Sequence, residues 1–242
     1  MHSDDVFAFV DRCQTYSTAK TILDDLLATS RGLGFEHLLF SGVPVGDQEL
    51  APMVELNGWP PQWFDRYNSE GHFRVDGVCL HAARTLRPFA WNEIPGELRE
   101  TEGTRRVAGE AEAFGIRTGF VVPMLSLDHW QSAISFASSA RAAEMSELER
   151  AQLITMATVT GVSVQAIALD QQQRANPVHL TDREREVLLW FQSGKSAWEI
   201  GEILGISERT ANKHAASARQ KFGVATTRQA AAEAARRRLL HF

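Results

Sequence analysis

Cysteine is scarce in this sequence, and long apolar runs and a basic amino-terminal region are missing. Its 242 residues include only Cys13 and Cys79, too few to suggest a disulfide framework or a cysteine zinc site. We find no run of about 18 apolar residues and expect no membrane span. The first residues are acidic rather than basic, which argues against a secretory signal. These absences favour a cytoplasmic protein in a reducing compartment.

Charge is distributed unevenly along the chain. The net charge is −5, but residues 177–242 carry 11 Lys and Arg against 7 Asp and Glu, whereas the remainder carries 14 against 23. A small basic region joined to a larger acidic one suggests that only the carboxyl-terminal end meets a polyanion such as nucleic acid. The hydrophobic content of 44% suits globular domains and argues against disorder.

The amino-terminal part combines helical and strand-like patterns. Apolar residues at helical spacing predict helix within the first 30 residues, and a short apolar run at residues 35–41 predicts a strand. Residues 120–123 and 132–136 predict further strands, with a turn near Asp128. Ser146 and Glu149 form a candidate capping box that opens a long helix reaching about residue 171.

Beyond that helix, the pattern predicts a linker and a second, all-helical domain. Residues 170–176 are polar and precede Pro177, so we assign the domains to residues 1–169 and 177–242 with this linker between them. Four short helices are expected in the second domain. Their predicted caps or first residues are Thr181, Ser196, Ser207 and Thr227, and their predicted ends are Gly194, Gly205, Gly223 and Arg238.

The second and third of these helices are typical of a helix-turn-helix, with Gly205 in the tight turn between them. The third helix would enter the major groove of DNA, because its side chains suit phosphates and base edges. We assign DNA contacts to Arg209, Thr210, Asn212, Lys213 and Ser217. A solvated helix of a purely structural bundle would have a similar composition, so the pattern by itself leaves that alternative open.

Residues 179–240 closely resemble the LuxR-type DNA-binding domain. The residues that carry the resemblance are 180–190, Gly194, Lys195, Glu199, Ile200, Ile203, Leu204, Ser207, Thr210, Lys213, His214 and 221–224. The resemblance implies a four-helix domain that binds DNA as a dimer, commonly through its last helix. It also implies structural roles for Glu184 and Lys195. Ala211 departs from the family, which usually has Val there, and should slightly thin the packing under the third helix.

Residues 50–91 are unusually aromatic, with polar residues interspersed. An aromatic cluster is most often only a core. Asp76, however, is flanked by apolar residues, so its carboxylate needs a donor, which either a ligand N–H or a backbone N–H could supply.

Residues 15–168 resemble the acyl-homoserine-lactone-binding domain of LuxR-type quorum-sensing receptors. The matching positions include Trp59, Trp63, Tyr67, Asp76, Trp91, Asn92, Gly115, Gly119 and Pro123. The resemblance implies an α/β/α sandwich around an antiparallel sheet, and hence an α+β chain with the ligand buried between sheet and helices. It implies that the Trp63 indole donates to the lactone carbonyl, Asp76 accepts the ligand amide N–H, and Ser135 donates to the amide carbonyl. Tyr67 and Trp91 match pocket walls.

Two aromatic residues depart from the family pattern and bear on the ligand. Trp59 stands where many relatives have Tyr, and Phe64 stands where one subfamily has Arg. An indole can donate a hydrogen bond but cannot accept one. With Trp59 in the site and a more aromatic pocket, we expect a short, branched or aryl acyl group rather than a long 3-oxo chain.

Other classes of function have less support. A response-regulator receiver needs a Lys after its fifth strand, and no Lys occurs between Lys20 and Lys195. No nucleophile elbow, phosphate-binding loop or metalloprotease motif indicates an enzyme, and the eight histidines pair with no Cys or acid at ligand spacing. A ligand-independent or heterodimerising regulator, or a receptor for a different small molecule, is the alternative that we keep.

The sequence thus predicts a ligand-responsive transcriptional regulator. Its expected partners are promoter DNA, an N-acyl-homoserine lactone and a second copy of the chain, with RNA polymerase added if it is an activator. We expect no cofactor, no metal and no membrane partner.

Overall fold

The computed structural model describes residues 3–126, 130–140, 145–175 and 177–240. The chain divides into two units, Met1–Ile167 and Ala168–Phe242, each with its own core. The first unit combines helices with a sheet, and the second is helical where it is described. This division agrees with the expected order of an α+β domain and a helical one.

A five-stranded antiparallel sheet forms the centre of the described part of the first unit. Its strands are β1 (His37–Gly42), β2 (Val54–Asn57), β3 (Phe89–Ala90), β4 (Thr118–Ser126) and β5 (Trp130–Ser138), in the order β2-β1-β5-β4-β3. The two apolar runs predicted as strands lie within β4 and β5, where Phe120 is opposite Phe136. The turn predicted near Asp128 lies outside the described residues.

Helices cover both faces of this sheet. They are α1 (Ser3–Cys13), α2 (Ala19–Ser30), α3 (Pro61–Ser69), α4 (Gly77–Ala82), α5 (Gly96–Arg99), α6 (Glu102–Glu112) and α7 (Glu147–Ala175). Because side chains alternate along a strand, Ile134 and Phe136 of β5 pack against α1, α2 and α7, whereas Ala133 and Ala137 pack toward α3 to α6. The expected α/β/α sandwich is confirmed.

Helix α7 begins where the sequence predicts but ends later. The backbone N–H of Ser146 donates to the Glu149 carboxylate at 2.8 Å, as the candidate capping box requires. The helix continues to Ala175, so residues 170–175, which we expected in a linker, are helical. Gln, Arg and Ala are good helix formers, and polarity without Gly or Pro does not end a helix. Pro177 is the first described residue beyond the helix, and proline lacks the backbone N–H that a helix would use there.

One helical stretch in the described ranges, Glu147–Gln171, is long and apolar enough to cross a membrane by length and composition. The stretch was not identified from the sequence because Gln, Ser and Thr interrupt the run, although residues 151–169 carry no charge. Leu153, Met156 and Ala157 are fully buried against the sheet, as in the core helix of a globular domain. The opposite face is exposed and uncharged. Its residues are Ala151, Thr155, Thr158, Val162 and Ala166.

The second unit contains α8 (Asp182–Gln192), α9 (Ala197–Leu204), α10 (Glu208–Phe222) and α11 (Thr227–Arg236). The predicted caps are confirmed, with capping boxes at Thr181 and Ser196 and a side-chain cap from Ser207. Gly205 ends α9 with a φ of 66°, a left-handed conformation that glycine adopts without strain. Helix α11 ends at Arg236 rather than at Arg238.

Candidate ligand cavity and DNA-binding surface

A cavity of about 380 Å³ lies between the sheet and helices α3, α4 and α6. The sheet contributes residues of β1, β4 and β5 to its lining, such as Leu39, Val121 and Ala133. The six residues predicted as the ligand site all line this one cavity. They are Trp59, Trp63, Tyr67, Asp76, Trp91 and Ser135. Phe64, the other departure from the family pattern, packs beside the same core but does not line the cavity.

Helix α3 supplies the aromatic wall of the cavity. Pro61 occupies the first turn of this helix, where its missing N–H has no intrahelical partner to lose. Trp63 and Tyr67 then fall one turn apart on the same face, and Trp63 is only 1% exposed. Their ring centroids are 5.7 Å apart, and the Trp59 ring meets Tyr67 edge-on at 5.1 Å. These close ring contacts hold the three aromatic side chains together in the cavity wall.

Asp76 and Tyr67 form the polar centre of the site. The Tyr67 hydroxyl donates to Asp76 Oδ2 at 2.8 Å, and the Val78 backbone N–H donates to Asp76 Oδ1 at 2.9 Å. Burial raises the pKa of Asp76, although these two hydrogen bonds oppose the rise. Burial and the neighbouring Asp76 also hold the pKa of Tyr67 well above its usual range. A carboxylate offers about four acceptor positions, so Asp76 can still accept a ligand N–H.

Two indole N–H groups in the cavity wall have no partner. Nε1 of Trp59 and Nε1 of Trp91 are both buried, and neither has a hydrogen-bond acceptor among the described residues. Trp91 lies directly against the backbone of Gly119, where a Cβ atom would collide with its ring and with the Phe136 carbonyl oxygen. Buried donors are almost always paired in folded proteins. Both rings line the cavity, but their nitrogen atoms are themselves buried.

The cavity opens beside α5 and α6. Asn92, Arg99, Arg105, Ala108 and Arg117 all line it and are exposed, so they form its mouth.

Much of the apolar lining of the cavity was not identified from the sequence, although the spacing of residues in α6 could have indicated part of it. Thr104, Val107, Ala108 and Ala111 recur at the spacing of one helical face. Cys79 also borders the cavity. Burial and the nearby Asp76 raise the pKa of its thiol, so it stays protonated and unreactive.

The fold also brings together a histidine and two acids that are apart in the sequence. His72 Nε2 lies 3.1 Å from Glu110 Oε2 and 3.7 Å from Glu70 Oε2, which corrects our expectation that no histidine pairs with an acid at ligand spacing. These three groups have the spacing of metal ligands. However, the Arg66 guanidinium lies 3.2 Å from Glu70 and 3.7 Å from Glu110, and the Arg106 guanidinium lies 3.9 Å from Glu110, so two arginines already balance the charge of the two carboxylates. The pairing could not be found from local spacing, since His72 and Glu110 are far apart in sequence.

Helix α10 presents the residues to which we assigned DNA contacts. Arg209, Asn212 and Lys213 are exposed on one side of the helix. Thr210 is half-buried, and its hydroxyl lies 2.8 Å from that of Ser207. The Ser217 hydroxyl donates to Glu184 Oε1 at 2.7 Å, so its proton is already used within the domain. The DNA contacts of all five residues stay predictions.

Glu184 ties three parts of the second unit together. Its carboxylate closes the capping box of α8 and accepts hydrogen bonds from Ser217 and from Lys221 Nζ, the latter at 2.6 Å. Burial on its own would raise the pKa of Glu184, but these donors lower it to about 2. Lys195 pairs instead with Glu199 at 3.2 Å. Ala211 is fully buried in the same unit, beneath the exposed face of α10.

Comparison with known proteins finds matches along most of the chain. The family profile described as "Autoinducer binding domain" matches residues 18–161, and the profile described as "Bacterial regulatory proteins, luxR family" matches residues 178–234. The transcriptional activator protein BjaR1 of Bradyrhizobium diazoefficiens is 31% identical over 96% of this chain and 95% of its own length. The quorum sensing-dependent transcriptional regulator RpaR of Rhodopseudomonas palustris is 34% identical over 83% of this chain and 81% of its own.

Solved structures share the fold. The crystal structure of SdiA from Escherichia coli superposes with a TM-score of 0.75 and 20% identity, covering 98% of both chains. A structure described as SdiA in complex with octanoyl-rac-glycerol gives a TM-score of 0.72 at 20% identity, covering 98% of this chain and 96% of that one. At this identity the likeness extends to the fold alone.

Proposed function

Because the chain belongs to the LuxR family of bacterial transcriptional regulators, with an autoinducer-binding domain ahead of a DNA-binding domain, we propose that it senses an N-acyl-homoserine lactone and regulates promoters in response. The family consists of regulators rather than enzymes. One observation carries the proposal: Trp63, Asp76 and Ser135 line a single cavity with aromatic walls. The site of action would be the cytoplasm, where a regulator meets promoter DNA.

The cavity offers the polar groups that a buried lactone amide requires. In our proposal the Trp63 indole N–H donates to the lactone carbonyl, Asp76 accepts the amide N–H, and Ser135 donates to the amide carbonyl. Each of these ligand groups loses water on entry, and leaving one unpaired would cost about 1–3 kcal/mol. Tyr67 supports this arrangement because its hydroxyl holds the Asp76 carboxylate in place at 2.8 Å.

The size of the cavity favours a compact acyl group. Its volume of about 380 Å³ is near the lower end of the usual range for small-molecule sites, roughly 300–1,000 Å³. Trp59 lines the cavity, and the resemblance to the family implies a smaller phenol at this position in many relatives. We therefore propose a short, branched or aryl acyl group rather than a long chain.

Promoter binding would be the task of α10 in a homodimer. Exposed Arg209, Asn212 and Lys213 offer donors for phosphates and base edges. The exposed, uncharged face of α7, on which Val162 is 66% exposed, supports pairing with a second copy of the chain. A lactone that fills the cavity would stabilise the folded first unit and, with it, the dimer. If the protein is an activator, RNA polymerase is its further partner.

Thermal melting of the purified protein with a panel of ligands tests this proposal. The panel comprises short-chain, branched and aryl homoserine lactones, a twelve-carbon 3-oxo lactone, and 1-octanoylglycerol, the class of molecule named in the SdiA complex. A ligand that binds only the folded state raises the melting temperature by mass action. We expect the largest shift from a short, branched or aryl lactone.

Other outcomes of the panel would change the proposal. A largest shift with the twelve-carbon ligand would contradict the compact acyl group. A shift with octanoylglycerol alone would make this chain a receptor for a different small molecule. No shift with any ligand, from folded protein that binds DNA, would favour a ligand-independent regulator.

A further inference from the structure

The mouth of the cavity is cationic. Where the chain is described, the charged residues that line the cavity are Asp76 and the three arginines of the mouth, Arg99, Arg105 and Arg117. Arg117 is paired with Glu112 at 3.1 Å, whereas Arg99 and Arg105 have no ion pair with a described residue. A neutral lactone leaves these two guanidinium groups without a counter-charge.

Both of these arginines keep hydrogen-bond donors available. Arg99 Nη1 donates to the Asn92 carbonyl oxygen at 3.0 Å, which uses one of its five N–H groups. The acids nearest in sequence, Glu100 and Glu102, are exposed and do not line the cavity. A guanidinium presents its donors in a planar fork that matches a carboxylate. The mouth therefore suits an anion of that shape.

The Thr104 hydroxyl places Arg105 at the Asp76 end of the cavity. It accepts the backbone N–H of Gly77, the residue after Asp76, at 2.8 Å. Thr104 itself lines the cavity, and Arg105 is the next residue of α6.

The same hydroxyl fixes the end of α5 at this place. Thr104 Oγ1 donates to the Leu98 carbonyl oxygen at 2.8 Å, and Arg99 follows Leu98 as the last residue of α5. One buried side chain therefore joins the three chain segments that carry Asp76, Arg99 and Arg105. An acceptor for an N–H group and two cationic donors border the same end of the cavity.

We propose that Arg99 and Arg105 bind the carboxylate of an N-acyl amino acid while Asp76 accepts its amide N–H, a ligand class that rests on the proposed function because it uses the same Asp76 contact. In such a molecule one carbon separates the amide nitrogen from the carboxylate, so both groups enter the same end of the cavity. Ring-opened N-acyl-homoserine is the member of this class that derives from the proposed lactone. Water adds to the ring carbonyl carbon and the ring ester C–O bond breaks, which leaves a carboxylate, a hydroxyl group and a released proton. The protein would then bind the hydrolysed ligand as well as the closed lactone.

The competing arrangement leaves both arginines in water. Exposed guanidinium groups are well hydrated, and many exposed ion pairs contribute little. An acid would then bind no better than an uncharged open-chain ligand of the same shape. Comparison of an acid with its amide separates the two arrangements.

The experiment is calorimetric titration of the full-length protein with three hexanoyl ligands. They are the homoserine lactone, the ring-opened hexanoyl-homoserine carboxylate, and hexanoyl-homoserine amide, which is the uncharged open-chain form. Wild type is compared with the double variant Arg99→Gln/Arg105→Gln, which removes both charges and keeps polar side chains. Arg106→Gln is the matched control, because Arg106 is exposed on the same helix as Arg105 but does not line the cavity. Melting curves without ligand check that each variant is folded.

We expect wild type to bind the carboxylate about three- to tenfold more tightly than the amide at low salt, and we expect added salt to reduce this preference by screening the charges. The double variant should lose the preference, whereas Arg106→Gln should keep it. Equal binding of carboxylate and amide by wild type would overturn the inference. So would a preference that survives in the double variant, or an equally large loss in Arg106→Gln.

The same titrations distinguish this inference from the proposed function. Binding of the carboxylate, together with no binding by any lactone of the melting panel, would overturn the lactone proposal and support the inference. Binding of the lactone without a preference for the carboxylate over the amide would overturn the inference alone. No binding by any of these ligands would overturn both.

Discussion

Asp76 serves the fold and the proposed site with the same carboxylate. One oxygen accepts the backbone N–H of Val78 and caps α4, and the other accepts the Tyr67 hydroxyl. The sequence left open whether a ligand or the backbone would supply its donor, and the structure supplies two donors from the protein. Because about two acceptor positions remain, the structural role and ligand binding are compatible.

Gly119 is the residue that allows Trp91 to lie against the backbone of β4. We predict that Gly119→Ala destabilises the first unit by about 2–3 kcal/mol, because the new methyl group meets a ring and a backbone carbonyl oxygen that cannot yield easily. Lactone binding should weaken as well, since Trp91 must shift in the cavity wall. Thermal and denaturant unfolding, together with ligand titration, would measure both effects.

Gly109 provides the matched control for that substitution. It lies within α6, and a Cβ atom there would meet nothing within 4 Å. Gly109→Ala should therefore stabilise the protein by up to about 1 kcal/mol through helix propensity. A Gly119→Ala variant as stable as wild type would show that Trp91 is not fixed against the strand.

At the scale of elements, local signals predicted the second unit well. The caps at Thr181, Ser196 and Ser207 could be predicted because each capping side chain bonds to a backbone N–H only three residues later. Such a contact depends on local sequence alone. The predicted end of α7, at about residue 171, was wrong because a polar helix and a linker have similar compositions, and the helix continues to Ala175. The His72–Glu110 contact was missed because it exists only once α6 packs beside the loop after α3.

Glu184 links three of those elements, and its ionisation should make the free energy of unfolding of the second unit depend on pH. Its pKa of about 2 lies below its ordinary value of 4.5, so the stabilisation is fully present above about pH 4.5 and is lost as the pH falls toward 2. We predict that Glu184→Gln lowers the stability of the second unit by about 1–3 kcal/mol at pH 7, and by less than half as much near pH 3. Denaturant unfolding at the two pH values measures the difference.

Glu186 is the control for this prediction. It lies on the same helix, and its carboxylate is exposed in a pair with Arg183 at 2.8 Å. Such surface pairs contribute little, so Glu186→Gln should change stability by less than about 1 kcal/mol at either pH. A loss for Glu184→Gln that does not vary with pH would indicate a packing defect rather than a charge interaction.

For the whole molecule, the sequence was enough to predict two domains, their order and the six residues that converge on the cavity. The six residues came from the resemblance to the family. No local sequence pattern connects residues such as Trp59 and Ser135, which meet only in the folded cavity. The cavity volume, the unpaired indole N–H groups and the arginine-containing mouth could not be predicted. They depend on how β1, β4, β5 and α6 enclose the space, and no local pattern specifies that enclosure.

A lactone held by Asp76 should control DNA binding by the second unit, and this coupling is the central claim about the whole molecule. The most direct test is a DNA-binding titration of wild type and of Asp76→Asn. The DNA is first selected from a random pool by the ligand-bound protein. Each protein is titrated with and without the best lactone from the melting panel. Asn is a good helix cap, so its side-chain oxygen should still accept the Val78 N–H and keep α4. Its NH2 group would replace the second carboxylate oxygen, so the amide N–H of the lactone would meet a donor instead of an acceptor. We predict that the lactone tightens DNA binding by wild type at least about fivefold and leaves the variant nearly unchanged. An equal effect of the lactone on both proteins, or no effect on wild type, would contradict the claim.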